Sequence, residues 1–342
     1  MKISFIIPVY NCKEYLPACV ASIQTAVAED YEILLIDDGS TDGSGAVCDE
    51  LSAKFSEIQV VHQENAGASA ARNQGILEAS GELLLFIDAD DSIDSAALGR
   101  VLADPHTVEC DLTIFGLTFD YYHNGKCYRQ DPLYHDYDGV MDRSCWSNNF
   151  VQLYRDNSLS PVWNKVFKRN MILAHNLELD TSMFLYEDFE FVLRYISHCD
   201  TIWNVPQAIY HYRQSEDEGN AGRRLKRIPS IPEFLKPIEA ALQQLPQEVS
   251  TTSRAMVLQQ LYLVLAREKI AASDIQTITR ICTDYQKWSK KRLLPLEQDR
   301  FQKLLLEGRA MQLWLRNKKT LLRHWIAVRV KALRATRTPI VN

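Results

Sequence analysis

Four short apolar runs in the first 90 residues each end in a polar cluster, and this rhythm constrains the fold more than any other feature of the chain. Ile3–Ile7 leads into Pro8-Val9-Tyr10-Asn11, and Ile33–Ile36 into Asp37-Asp38-Gly39-Ser40. Gln59–Val61 leads into His62-Gln63-Glu64-Asn65, and Leu83–Ile87 into Asp88-Ala89-Asp90-Asp91. Between the runs lie segments of helical period: Tyr15, Cys19, Ile23 and Ala26; Val47, Leu51 and Phe55; Ala70, Ala71, Ile76 and Ala79. Strands alternating with helices at this spacing predict βαβ units, a parallel sheet and an α/β fold. Ligand crevices in such sheets lie at the carboxyl ends of the strands, so every polar cluster named falls on one expected rim.

The first strand is followed by no G-x-G-x-x-G, the next glycine being Gly39, and no G-x-x-x-x-G-K-[ST] occurs. Dinucleotide and P-loop chemistry are therefore not expected. Three acids crowded at the end of Leu83–Ile87 repel one another unless a cation sits among them, and hard oxygen ligands suit Mg²⁺ or Mn²⁺. A polar turn with a helix cap is the plainer alternative for that cluster alone.

Taken together, Ser4-Phe5-Ile6-Ile7-Pro8-Val9-Tyr10-Asn11, Ile36-Asp37-Asp38-Gly39-Ser40-Thr41-Asp42, Asn65 to Asn73 and Asp88-Ala89-Asp90-Asp91 resemble a family 2 glycosyltransferase. The match is in register through residue 91 and continues more weakly through Trp163-Asn164-Lys165 and Glu187-Asp188 to about Ser215. The resemblance implies the GT-A fold, a UDP-sugar donor, a divalent metal and inversion at the anomeric carbon. By the same resemblance Tyr10, beside Pro8 and Asn11, lies against the nucleobase, and Asp38 accepts the N3–H of uracil. Asn65, Gly67 and Arg72 serve the donor diphosphate, as a helix N-terminus and a guanidinium would. Asp90 is the implied metal ligand. Asp88 holds the ribose or a metal-bound water, and Asp91 faces the donor sugar or caps the next helix.

On the acceptor side, Glu187-Asp188 opens a helix whose apolar face is Phe189, Val192, Leu193 and Ile196. Asp188 is expected at its N-cap, a rigid site for a general base, with Glu187 as the alternative. Trp163 is either a platform for a sugar ring or a packing residue. Lys165 is grouped with it on the acceptor side. His211 either completes the metal site or is an ordinary strand histidine.

The expected division is 1–215 for the catalytic domain and 216–342 for a mainly helical region, with helices at Thr252–Ala272, Ile275–Ser289, Leu296–Arg309 and Met311–Arg337. The formal charge of −6 divides into −15 up to Glu307 and +9 after it, since nine Lys or Arg and no acid follow. That basic end, with Trp325 among its apolar residues, suggests docking on an anionic membrane surface. A strongly acidic remainder argues against nucleic acid as a partner. Eight cysteines without a C-x-x-C pair, no long apolar span and no leader-like start suggest a cytoplasmic protein with reduced thiols, peripheral on the membrane if the tail docks. The acceptor implied is a glycan or lipid-linked glycan. A non-catalytic sugar-nucleotide sensor that kept the fold is the alternative from another class.

Overall fold

The computed structural model describes residues 2–26, 30–215, 227–228, 230–271, 275–292 and a few positions between 302 and 313. Its contacts divide the chain into two units, 1–218 with 237–254, and 219–236 with 255–342. The helices expected at Leu296–Arg309 and Met311–Arg337, the latter with its membrane-docking role, lie largely outside the described residues, as do residues 216–226.

The first unit opens with β1 (Ile3–Val9), α1 (Leu16–Gln24), β2 (Tyr31–Asp37), α2 (Ser44–Lys54), β3 (Ile58–His62), α3 (Ala68–Glu78) and β4 (Leu83–Phe86). It continues through β5 (Ser92–Ile93), α4 (Ser95–Ala103), α5 (His106–Glu109), β6 (Leu112–His123), β7 (Lys126–Leu133), β8 (Gly139–Asp142), α6 (Arg143–Asn148) and α7 (Phe150–Arg155). Next come β9 (Lys165–Lys168), α8 (Arg169–Ala174), α9 (Glu187–Ile196) and β10 (Thr201–Ser215). Among the described residues one sheet runs β3-β2-β1-β4-β9-β6-β10-β5, with β7 on β6 and β8 on β10. Strands β3, β2, β1 and β4 are mutually parallel, as the alternating rhythm requires. The chain steps outward from β1 to β3 and then returns to the other side of β1 as β4. That reversal opens a crevice beyond the ends of β1 and β4.

Strand β1 is buried on both faces because α1 and α3 cover it, which is why its sequence reads as a continuous apolar run. Close approach of α3 depends on Gly75, where a Cβ would sit 2.2 Å from Cγ2 of Ile6. Pro8, paired with Ile36, comes after the last β1–β4 pair, Ile6 with Phe86, so its missing N–H costs nothing on that side. Beyond β4 the pairing changes: β9 is antiparallel to both β4 and β6. The apolar periodicity does not foretell this insertion.

At the opposite end of the parallel strands, buried Glu32 accepts from Lys2 Nζ at 2.7 Å, Ser4 Oγ at 2.5 Å and Ser80 N at 2.7 Å. Burial alone would raise this carboxyl, but the donors outweigh it and bring it down to about 2. Its contribution to stability is present above the ordinary carboxylate range and is lost only as pH falls toward that value.

The second unit contains α10 (Ile231–Phe234), most of α12 (Thr251–Ala271) and α13 (Ile275–Arg292); α11 (Lys236–Gln244) belongs almost wholly to the first. Both long helices match the expected segments at Thr252–Ala272 and Ile275–Ser289. Tyr262 meets Tyr285 at 4.9 Å and Trp288 at 4.6 Å between ring centroids, and these rings form the centre of a small core with Leu261, Leu265 and Ile281. No described helix is long and apolar enough to cross a membrane. All eight cysteines are free thiols.

Candidate active site

The exits of β1 and β2 are laced together by short polar side chains. Asn11, in the left-handed region at φ 52°, accepts from Thr41 N at 2.8 Å and donates its own N–H to Ser40 Oγ at 3.1 Å. Cys12 N donates to Ser44 Oγ and Lys13 N to Asp42. Asp37 secures the turn itself, accepting from Ser40 N at 3.1 Å while its other oxygen lies 2.8 Å from His62 Nδ1. This leaves Tyr10 at the rim, 53% exposed and open to a planar ligand.

Asp38 builds the neighbouring wall. Its carboxylate accepts from Gln63 Nε2 at 2.7 Å, Ala66 N at 2.8 Å and Gly67 N at 2.8 Å, and Asn65 Nδ2 donates to its carbonyl. Three of roughly four acceptor positions on the carboxylate are thereby used. Asp38 is thus first the organiser of the loop that leads into α3. Gly67, at φ 92°, caps that helix with open space where a side chain would stand.

Arg72, on α3, is the hub. The residue is 5% exposed; Nη2 donates to Asp88 Oδ1 at 2.6 Å and Nη1 to Asp188 Oδ1 at 3.1 Å. One guanidinium therefore joins the acid cluster after β4 to the start of α9. Burial works against its charge, but Asp188 and Asp88 more than compensate and keep it protonated. Asp188 takes a second donor, Val162 N at 3.4 Å on Oδ2. Its carboxyl is nonetheless raised above the ordinary range, because burial and then the charge of Asp88 exceed the help from Arg72.

Several expectations need correction. Asp188 is not the N-cap: Tyr186 holds that position with φ 62°, and Asp188 lies inside the first turn of α9. Asp91 does not cap the next helix. Its oxygens accept from Tyr210 Oη at 2.7 Å and Arg213 N at 2.7 Å, tying β4's exit to β10, and Asp94 caps α4 through Ala97 N. Trp163 stacks on Tyr210 at 4.2 Å and Tyr212 at 5.3 Å and is nearly buried, so packing is its role. Lys165 is wholly buried, which removes it from the acceptor side. His211 Nδ1 lies 3.0 Å from Asp120 Oδ2, a pairing that fixes the orientation of the ring. Tyr210 and Val162 went unremarked in the sequence. Tyr210 sits next to His211, and strand alternation sends the two side chains to opposite faces.

Among the described residues no three His, Cys, Asp or Glu side chains form a ready metal cage. The acids after β4 do fit a cation shared with a ligand: Mg²⁺ and Mn²⁺ commonly bind through one or two carboxylates completed by substrate phosphates. Asp91 records the crowding of negative charge here. Its carboxyl is raised by burial and then by Asp88 and Asp90, despite two donors. Beside Asp188 opens a cleft of about 190 Å³ lined by Asn157, Ser160, Pro161, Leu185, Tyr186 and Glu187.

Comparison with known proteins agrees with this architecture. The chain is 30% identical to the putative glycosyltransferase EpsH of Bacillus subtilis over 213 residues, 62% of this chain and 60% of that one. It spans less than two thirds of the length of EpsH. Its fold is similar to TarS 1-349 of S. aureus, solved with UDP-GlcNAc, at a TM-score of 0.62 and 17% identity over 95% of this chain and 92% of that one. It is also similar to the mannosyltransferase PcManGT of Pyrobaculum calidifontis, solved with GDP-Man and Mn²⁺, at a TM-score of 0.51 and 16% identity over 98% and 88%. The mixed sheet with a parallel core is the GT-A architecture. Residues 4–170, just under half of the chain, match the family described as glycosyl transferase family 2.

Proposed function

We propose that the chain transfers a sugar from a UDP-sugar to a hydroxyl of a glycan or lipid-linked glycan, with inversion and with Asp188 as general base. The observation that carries this reading is the Arg72 guanidinium, which joins a donor-side acid, Asp88, to an acid at the mouth of a separate cleft, Asp188. Inverting transfer needs that division. Asp188 takes the proton of the acceptor hydroxyl, and the hydroxyl oxygen forms its bond to the anomeric carbon. The bond from that carbon to the diphosphate breaks on the opposite side, and UDP leaves with the electron pair. A carboxyl raised above its usual range is a stronger base once ionised, and the 190 Å³ cleft gives an acceptor access to it.

Asp90, aided by Asp88, would hold Mn²⁺ or Mg²⁺, which supplies charge neutralisation at the diphosphate when bound. Asn65 and the start of α3 offer backbone donors to the same group, with Gly67 leaving open space for its approach. The complexes of TarS with UDP-GlcNAc and of PcManGT with Mn²⁺ support a nucleotide-sugar donor and a metal-assisted reaction. The basic end after Glu307 supports contact with an anionic lipid surface, where lipid-linked acceptors reside.

UDP release from a panel of UDP-sugars, measured with Mn²⁺ and with excess EDTA, tests the reading. Asp90→Ala is expected to abolish metal-dependent release while the fold survives; full activity in that variant would remove Asp90 from the site. Calorimetry should also rank UDP ahead of CDP. The one acceptor position left on Asp38 suits the uracil N3–H, and cytosine lacks that donor. Losing a hydrogen bond to a charged group costs about 1.5–3 kcal/mol. Equal affinity for the two nucleotides would show that Asp38 only builds the loop.

A further inference from the structure

Lys165 is wholly buried and takes no part in the transfer chemistry; burial pushes its amine well below the ordinary lysine range, and lysine is almost never wholly buried without a partner. Its partners are not acids. Nζ donates to Pro161 O at 2.6 Å and to Asn164 Oδ1 at 2.7 Å. Asn164 is itself clamped to β6, donating to Phe115 O at 3.0 Å while its carbonyl accepts from Phe115 N at 3.1 Å. Residues 161–165 are thus closed into a turn by the amine and fastened to the sheet by the amide. From this turn the Val162 N–H donates to Asp188 Oδ2. At 3.4 Å this bond is long, so its strength depends on how firmly the turn is held.

We propose that Lys165 is a positioning residue for the reaction: by closing the 161–165 turn it keeps the Val162 N–H trained on the Asp188 carboxylate. This rests on the reading of Asp188 as general base. A methionine would fill the same buried volume without desolvating an amine, so packing alone does not account for the lysine.

The electrostatic consequence has a definite sign. Asp188 is faced by Arg72 from α3, Asp88 from the end of β4, Lys165 from β9 and Glu187 from its own helix. Burial and Asp88 raise its carboxyl; Arg72, the Val162 N–H and Lys165 lower it. Removing the Lys165 amine opens the turn and loosens the Val162 N–H contribution, so Asp188 should ionise at higher pH.

The test is a carboxyl ¹³C NMR titration of the full chain labelled at aspartate, with the Asp188 resonance identified by its loss in Asp188→Asn. Lys165→Met is expected to move the Asp188 midpoint up by about one pH unit, a tenfold change in ionised fraction on the acidic side. The acidic limb of UDP release from UDP-GlcNAc should move with it. Asn164→Ala, which removes the side-chain bond to Phe115 O and the side-chain acceptor of Lys165 Nζ while keeping the backbone bond to β6, should shift the midpoint the same way. An unmoved midpoint in either folded variant overturns the proposal, as does loss of folding in both, which would make the turn a stability element only. The titration reads Asp188 whether or not it is the base. A shifted midpoint with full turnover in Asp188→Asn would refute the general-base reading and leave the positioning intact.

Discussion

Replacing Asp188 by asparagine is expected to lower turnover by roughly 10²–10⁴, the usual contribution of a positioned proton acceptor. The amide keeps an oxygen for Arg72 Nη1, so the hub remains assembled. Stability should change little. A first-turn acid favours the helix by about 0.3–1 kcal/mol through the macrodipole, and that is lost. Against it, a buried carboxyl whose folded value is raised costs stability as pH climbs through the interval between its unfolded and folded values, and the amide removes that cost. Donor affinity should be nearly unchanged, because the carboxylate acts on the acceptor side. Wild-type turnover should fall away on the acidic side at a pH above the ordinary carboxylate range, and the residual rate of the variant should lack that limb. A variant that turns over normally but unfolds early would make Asp188 a structural anchor. Glu187→Gln is the companion measurement, and a collapse there alone would move the base one residue upstream.

The parallel half of the sheet was legible because each strand there is an unbroken apolar run stopped by Pro, Gly, Asn or Asp. Those residues end strands for local reasons: fixed φ at Pro8, positive φ at Asn11 and Gly39. The rim followed from topology, so Tyr10, Asp38, Asn65 and Asp88 lie along it as the alternation requires. What escaped the sequence depended on contacts between distant segments. Arg72 meets Asp188 across 116 positions and Tyr210 meets Asp91 across 119, and no local pattern encodes either. The fate of Asp38 was hidden for the same reason, since its partners arrive from the loop after β3. The cap of α9 was missed because a tyrosine in the left-handed region is uncommon, and an acid at the next position but one is the ordinary choice. Lys165 reads as a polar residue beside Asn164. Only the burial of β9 between β4 and β6 takes it into the core.

Replacing Arg72 by methionine should be the most damaging single change to the fold within the site. Methionine keeps the length and apolar stem of the side chain but leaves Asp88 and Asp188 without the cation that faces both. Breaking a buried pair from one side costs about 3–5 kcal/mol, because the partner's charge stays behind without compensation. The cost should depend on pH in a stated direction. Without Arg72 the Asp188 carboxyl rises further above its unfolded value, so the folded state escapes part of the penalty by binding a proton. At low pH the Asp188 carboxyl is protonated in either protein and the difference between wild type and variant should be small. As pH rises through the window between the raised folded value of Asp188 in the wild type and its still higher value in the variant, the difference should grow and then level off. Urea unfolding at several pH values measures this directly, and a difference that is flat across the window would mean that Arg72 stabilises by packing alone. Turnover near neutral pH should fall as well, since a larger share of Asp188 is protonated and cannot accept the acceptor's proton. Arg72→Lys should recover little of either quantity. An ammonium is a single point of charge, whereas Asp88 and Asp188 are held by two separate nitrogens of one planar fork, 2.6 and 3.1 Å away. A lysine variant with wild-type stability and turnover would show that charge alone suffices and that the fork geometry joining the two acids is dispensable.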